Sequence, residues 1–154
     1  AGSVDGFAGA AAECDAGGRG ELAGDGAQGG RPLVLRSENG VVVLDLDGDE
    51  REQTGWSLLY LHIAANQRVA AGTFLQAGDL IGNPSCEGGT ATGTHIHLAR
   101  KYNGEWMLAD GALPFTLSGW QARAGTKPYE GALVKDGQTV LACTCASKGT
   151  LLSR

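Results

Sequence analysis

Three dipeptides that end in glycine each stand between two largely apolar runs: Asn39-Gly40, Asn103-Gly104 and Asp136-Gly137. Such dipeptides favour the positive φ angles that two-residue β-hairpin turns require. The flanking runs are 33–36 with 41–46, 94–102 with 105–108, and 129–135 with 139–143. No stretch keeps a helical period for more than about two turns. We therefore predict an all-β fold, a coiled antiparallel sheet with long loops.

The length and apolar content are those of one domain. A hydrophobic fraction of 42% over 154 residues is enough for a single core. We predict one domain over 1–154, with a Gly-rich N-terminal segment at 1–32, a core at 33–120 and a C-terminal hairpin extension at 121–154. Seven glycines among few apolar side chains make 15–30 a predicted loop.

The net charge argues against binding to nucleic acid, and the short apolar runs argue against a membrane span. The net charge of −5 argues against nucleic acid, whose phosphates are bound by clustered Lys and Arg. The longest apolar run, 56–65, is far shorter than the roughly 20 residues that cross a bilayer. We expect no membrane span. The first residues lack a secretory signal, so for an exported protein we expect that segment to have been removed.

The four cysteines favour disulfides and an oxidising compartment, with reduced buried thiols as the alternative. Cys143 and Cys145 are two residues apart and rarely bridge to each other at that spacing, so we expect them to pair with Cys14 and Cys86, in either order.

Three histidines fall in predicted strands. His95 and His97 are two residues apart, so both imidazoles point to the same side of a strand and can reach one ion or one water molecule. His62 belongs to another apolar run, 56–63, in which alternation places it on one face with Tyr60. Between these runs, 68–82 indicates short strands separated by Ala-Gly turns. We predict that the three imidazoles converge.

The surrounding motifs resemble those of the lysostaphin-type zinc endopeptidases. Tyr60-Leu61-His62-Ile63 is similar to the family's Y-x-H-L, the segment 69–82 to its V-x-x-G-x-x-I-G, and 93–98 to its G-x-H-L-H-F. The resemblance is close over about residues 55–102. It implies the coiled all-β fold of that family, similar to the duplicated hybrid motif.

The resemblance implies a site as well as a fold. His97 would be a zinc ligand, while His62 and His95 would act on the water and the scissile peptide. Zinc with an open position lowers the pKa of bound water to about 7 and polarises a carbonyl. Either histidine could serve as general base, and the other could donate to the oxyanion or the leaving amine.

The upstream part of the zinc motif is incomplete in this sequence. The family supplies a His and an Asp from H-x-x-x-D, and no histidine precedes His62. Ser3-Val4-Asp5-Gly6-Phe7 resembles the family's S-x-D-F with one glycine inserted, which makes Asp5 the expected second ligand. The partner histidine would then lie before Ala1 or be lost, and both explanations stay open.

Substrate contacts are expected beside the histidines. Gly93 belongs to the Gly-rich segment 88–93, where a substrate backbone could approach closely, as for Gly- or Ala-containing peptide, although a plain loop is the alternative. Tyr60 could contact substrate or pack in the core. Asp45, Asp47 and Asp49 alternate as in a calcium loop, but glycine at the fourth position does not match an EF-hand, and we expect a solvated turn.

The resemblance implies a secreted or cell-envelope zinc endopeptidase that hydrolyses peptide bonds of bacterial peptidoglycan. The alternative is an inactive relative that regulates by binding a wall hydrolase or the wall itself. A biotin- or lipoate-type carrier is a third interpretation, because 69–82 has similar Gly turns. It requires a hairpin lysine, and no lysine precedes Lys101.

Overall fold

The computed structural model describes residues 31–91, 93–127 and 130–142, together with the backbone of 20–21. These residues contain strands and no helix, so within them nothing helical could cross a membrane. The strands are β1 (Gly20–Glu21), β2 (Leu33–Glu38), β3 (Val41–Asp45), β4 (Trp56–Leu61), β5 (Leu80–Gly82), β6 (His97–Tyr102), β7 (Glu105–Trp106), β8 (Thr116–Leu117), β9 (Trp120–Ala124), β10 (Gly131–Lys135) and β11 (Gln138–Leu141).

The strands form three antiparallel sheets. The largest has the order β2-β3-β4-β6-β7, the second has the order β11-β10-β9-β8, and β1 pairs with β5. Strands that are neighbours in sequence are mostly neighbours in space. The exception that matters for the site is β4 beside β6, because this pairing places Leu61 opposite His97. The all-β, antiparallel prediction is confirmed.

All three predicted Gly turns connect paired strands. Their residues have positive φ throughout: 49° and 73° at Asn39-Gly40, 48° and 78° at Asn103-Gly104, and 49° and 76° at Asp136-Gly137. Two positive angles match the hairpin turn whose twist suits paired strands. A fourth turn of the same kind, Ser118-Gly119, joins β8 to β9 and was not predicted. Two-residue β8 is too short to show alternation.

The core lies between the two larger sheets. Val42, Leu44 and Tyr60 of the first sheet belong to one buried cluster with Trp120 and Leu133 of the second. Leu133, in the predicted C-terminal hairpin, is 1% exposed. The second sheet thus supplies core residues, since an apolar sheet face is stable only when another layer covers it.

Two strand boundaries differ from the prediction at the histidines. β4 ends at Leu61 and β6 begins at His97, so neither His62 nor His95 lies within a strand. His62 has a φ of 64°, and the next amide, Ile63 N–H, donates to Gly40 O at 3.0 Å. This turn of the backbone ends the alternation that would have aligned His62 with Tyr60. The segment 68–82 also holds one strand, β5, where several short ones were predicted.

Candidate active site

The end of β4 and the start of β6 bring the three histidines to one corner of the large sheet. His97 is paired with Leu61, and His62 follows Leu61 directly. His95 precedes β6 and forms an isolated bridge with Ser85. Antiparallel pairing alone therefore explains why two motifs more than 30 residues apart in the chain meet here.

The rings of His62 and His95 are in contact. Their centroids are 4.4 Å apart and their planes are tilted by 47°. His62 is 5% exposed, whereas His95 is only partly buried. The two imidazoles therefore face the same small volume.

A backbone carbonyl fixes one nitrogen of each ring. Nδ1 of His62 lies 2.7 Å from Glu87 O, and Nδ1 of His95 lies 2.8 Å from Gly93 O. A carbonyl oxygen only accepts, so Nδ1 must carry the hydrogen in both rings. The neutral form of each ring then has its lone pair on Nε2. The arrangement prepares two Nε2 atoms as proton acceptors.

The loop 85–89 holds the Glu87 carbonyl in place. The Ser85 hydroxyl donates to His62 O at 3.1 Å and accepts from Glu87 N–H at 3.0 Å, while Ser85 N–H donates to the same His62 carbonyl at 2.7 Å. The Glu87 carboxylate accepts from Ala65 N–H at 3.0 Å and lies 3.7 Å from the Arg68 guanidinium. His62 and the loop that orients it are thus one hydrogen-bonded unit.

The β2–β3 turn packs against the loop 85–89 through Gly40. A Cβ added at Gly40 would lie 2.5 Å from Gly88 N and 2.6 Å from Glu87 C. Only glycine fits such an approach of two backbones, and its φ of 73° excludes most other residues as well. Cys86 in the same loop is disulfide-bonded. Cys14, Cys143 and Cys145 lie outside the described residues, so the predicted pairing stays a prediction.

His97 and Tyr60 lie on opposite faces of the sheet. Residues directly opposed in an antiparallel pair project to the same face, and the face alternates along a strand. Leu61 opposes His97, whereas Tyr60 opposes Leu98. Tyr60 is 2% exposed and belongs to the core cluster, so the structure places it as a packing residue. Its predicted contact with substrate stays a prediction.

The predicted substrate glycine has a different position. Gly93 is buried, and its carbonyl is the partner of His95 Nδ1. Its observed contribution is therefore to orient a histidine. The predicted ligand Asp5 lies outside the described residues.

Sequence reasoning missed the residues that orient the histidines. Ser85 and Glu87 act through backbone atoms and a small hydroxyl, so their residue types show no recognisable motif. The available signal is that both residues lie in the Gly-rich stretch 85–93, just before the H-x-H motif. Histidines of metal sites usually donate a ring N–H to a carbonyl or carboxylate, and this stretch could supply one.

The chemistry of the donors fits zinc. Imidazole nitrogen is a preferred zinc ligand, and His97 brings one to the start of β6, beside the His62–His95 pair. In the described ranges, the one group of three residues whose ligand atoms all lie within 4.8 Å of one another is Asp45, Asp47 and Asp49, at the β3–β4 loop.

The acidic group is electrostatically strained. Hydrogen bonding to the Asp45 side chain, burial, and the charges of Asp45 and Asp49 together raise the pKa of Asp47 above its ordinary value. Asp45 itself is fully buried, at 0% exposure. The predicted solvated turn is therefore wrong for Asp45, although Asp49 is exposed.

Sequence similarity to known proteins covers half of the chain. No protein-family profile matches the chain. The chain is 33% identical over 84 residues to Protease LasA of one Pseudomonas aeruginosa strain, and 31% identical over 83 residues to that of another. Each alignment covers 50% of this chain and 19% of the relative, so the match spans about a fifth of LasA.

A solved structure shares the fold. Pseudoalterin, described as an M23 metalloprotease from the deep sea, superposes with a TM-score of 0.61 at 17% identity, covering 86% of this chain and 75% of its own. The lysostaphin-type resemblance is thereby confirmed: the chain is homologous over half its length to Protease LasA, and it has the fold of an M23 metalloprotease.

Proposed function

We propose that the chain is a zinc-dependent endopeptidase that hydrolyses peptide bonds in bacterial cell-wall peptidoglycan. The observation that carries the proposal is the His62–His95 pair, in which both Nδ1 atoms are bound to carbonyls and both Nε2 atoms are available for proton transfer. Homology to a protease and the fold of a metalloprotease support peptide hydrolysis. The same relatives support a peptide or peptidoglycan substrate.

The proton steps follow from the two rings. In our proposal, Nε2 of His95 accepts a proton from water as its oxygen forms a bond to the scissile carbonyl carbon. His62 receives that proton at Nε2 from the neighbouring His95 ring and passes it to the leaving nitrogen as the C–N bond breaks. The Glu87 carbonyl holds the His62 Nδ1 hydrogen throughout. Both rings end neutral, as they began, because the proton taken from water leaves with the amine.

His97 and Asp5 are the proposed zinc ligands. Zinc, when bound, supplies Lewis-acid activation of water and of the scissile carbonyl. The ring contact between His62 and His95 supports a division of roles, with that pair moving protons and His97 holding the ion. Gly93 positions His95 through its carbonyl in this scheme.

We infer an extracytoplasmic location, in the secreted fraction or the cell envelope. Peptidoglycan lies outside the cytoplasm, and the disulfide at Cys86 is of a kind that persists in oxidising compartments. Zinc is the proposed cofactor, and Gly- or Ala-rich wall peptide is the proposed substrate.

The test is zinc content by elemental analysis together with turbidity clearing of purified cell walls, on protein expressed from the complete gene. We expect one zinc per chain and wall clearing, with both lost in His97→Ala. A zinc-free protein that binds walls without clearing them would instead support the regulator. A matched control is His97→Gln, whose amide preserves size but binds zinc poorly.

A further inference from the structure

Trp106 is an exposed tryptophan on the same face of the large sheet as His97. Side chains alternate between the two faces along β6, so His97, Ala99 and Lys101 point to one side. Trp106 of β7 is directly opposite Lys101 and therefore shares that side. Trp106 is 45% exposed, whereas Trp120 in the core is 4% exposed. A large apolar ring thus lies on the face that carries the proposed zinc ligand.

Lys101 and Glu52 stand beside this ring as an ion pair. Nζ of Lys101 lies 4.5 Å from the centroid of the Trp106 ring and 2.5 Å from Oε1 of Glu52. The ammonium is attracted to the ring as well as to the carboxylate, which holds all three groups together. Both charged side chains are partly buried, at 22% and 28% exposure. The Trp106 surface, formed by Trp106, Lys101 and Glu52, therefore has no net charge.

Hydrogen bonds join the two segments that form the Trp106 surface. Glu52 belongs to the β3–β4 loop, whereas Lys101 and Trp106 belong to the β6–β7 hairpin. Asn103 N–H donates to Gly55 O at 2.8 Å, and Gly55 N–H donates to Asn103 Oδ1 at 2.9 Å. The loop and the hairpin are thus held together by two reciprocal hydrogen bonds. A ligand would find the three side chains already arranged, which lowers the entropy cost of binding.

The chemistry of the Trp106 surface suits a neutral sugar. A pyranose ring has a face of C–H groups that stacks on an aromatic ring, and its hydroxyls both donate and accept hydrogen bonds. Trp106 supplies the aromatic ring, the Lys101 ammonium donates and the Glu52 carboxylate accepts. A peptide carboxylate would be repelled by Glu52, and a cationic side chain would be repelled by Lys101. A sugar can use all three groups without adding a charge.

We propose that the Trp106 surface binds a sugar of the peptidoglycan glycan strand while the attached peptide reaches His97. Lys101 is four residues beyond His97 on β6, a span of about 13 Å, which is the length of about four extended peptide residues. The one β6 side chain between them on that face is the methyl group of Ala99. The substrate is thus a peptide still linked to its glycan, cleaved about four residues from the sugar. This inference rests on the proposed peptidase function.

Sugar binding can be measured without catalysis. The full chain, labelled with ¹⁵N, is titrated with neutral oligosaccharides of N-acetylglucosamine, and the indole N–H signals of its three tryptophans are followed. The signal that disappears in Trp106→Phe is that of Trp106. We expect this signal to shift and saturate, while the signal of the buried Trp120 stays in place. Glu52→Ala should weaken the binding, because it removes the carboxylate that accepts from sugar hydroxyls.

Hydrolysis connects the Trp106 surface to the histidines. The substrates are one wall peptide in two forms, with its disaccharide attached and with the disaccharide removed by an amidase. We expect kcat/KM to be about tenfold higher for the glycan-linked form, chiefly through a lower KM. In Trp106→Ala the two substrates should become equivalent, and Trp106→Phe should restore part of the preference. Tyr102→Ala is the matched control, because Tyr102 is 44% exposed on the opposite face, and it should keep the preference.

Three results would overturn the sugar site. These are a Trp106 signal that does not respond to oligosaccharide, equal kcat/KM for the two substrates in the wild type, and a preference that persists in Trp106→Ala. Loss of the preference in Tyr102→Ala as well would also contradict it, because the effect would then belong to the whole hairpin. If the Trp106 signal shifts but neither substrate is hydrolysed, the sugar site is supported and the proposed peptidase function fails.

Discussion

The imidazole of His62 lies against that of His95, with 4.4 Å between ring centroids, and each ring has its Nδ1 on a backbone carbonyl. Backbone carbonyls are fixed by the fold, so the ring tautomers are a property of the scaffold and not of the side chains alone. Each neutral ring therefore has its lone pair at Nε2, where the proposed proton transfer would take place.

The tautomers can be observed directly. In the neutral state, we expect both His62 and His95 to carry hydrogen on Nδ1, because Glu87 O and Gly93 O can only accept. Long-range ¹⁵N–¹H correlation spectra distinguish the two forms. An Nε2–H signal from either residue would contradict the arrangement.

Ser85 is expected to be a positioning residue. Ser85→Ala removes the hydroxyl that joins His62 O to Glu87 N–H, which should lower the free energy of unfolding by about 1 to 3 kcal/mol and also reduce kcat. Ser37→Ala is the matched control, since its hydroxyl donates to Val69 O away from the histidines. Unfolding titrations and wall-peptide kinetics measure both. An equal loss of kcat in the two variants would argue against positioning.

The contact between Gly40 and Gly88 is expected to matter for stability and activity together. Gly40→Ala would force its Cβ against the Gly88 and Glu87 backbone at an unfavourable φ, with a loss of about 2 to 4 kcal/mol in unfolding free energy. Gly137→Ala is the control: the turn position and φ are alike, but nothing lies within 4 Å. It should lose about 1 to 2 kcal/mol, from backbone strain alone, and keep full activity.

If Gly40→Ala and Gly137→Ala were equally destabilised, the close approach of the Gly40 and Gly88 backbones would not contribute to stability. If Gly40→Ala retained wild-type turnover, the turn would support the fold without orienting His62.

Asp110 gives the fold a defined acid sensitivity. Hydrogen bonds from Ala124 N–H and Gly111 N–H, with Arg123 beside it, lower the pKa of Asp110 below its model-compound value of 3.8. A lowered folded-state pKa contributes stability above the unfolded value, and this is lost as pH falls through the folded value. Asp110→Asn should therefore be less stable than the wild type at neutral pH, and the difference should shrink as the pH falls below 3.8 and through the lowered folded-state pKa.

Thermal unfolding of the wild type and of Asp110→Asn across pH 2 to 7 measures this difference in stability. A difference that stays constant at every pH would assign the effect to packing. Asp79→Asn, in a surface turn where Asp79 accepts from Gln76 N–H, serves as the control.

Local turn chemistry explains why much of the fold could be predicted. Asn39-Gly40, Asn103-Gly104 and Asp136-Gly137 each determine a hairpin through their own φ preferences, which need no distant partner. Ser118-Gly119 has the same geometry, but the strands it joins are recognised only once β9 pairs with β10. Long-range pairing is not visible in a short segment of sequence.

The candidate site, like the fold, could be predicted only where local sequence determines it. The H-x-H spacing and the apolar strand before His62 are local, so their approach could be predicted. The carbonyls of Glu87 and Gly93, and the backbone turn at His62, arise from contacts between distant segments. Burial of Asp45 was also missed, because a D-x-D-G-D stretch is usually solvated and only the packing of the loop reveals otherwise.

The central claim is that His62 and His95 move protons while His97 holds zinc, and turnover measured together with zinc content tests it most directly. His95→Ala and His62→Ala are predicted to keep wild-type zinc content while kcat for wall-peptide hydrolysis falls by about 10²- to 10⁴-fold. Wild-type turnover in both variants, or loss of zinc in either one, would contradict the account.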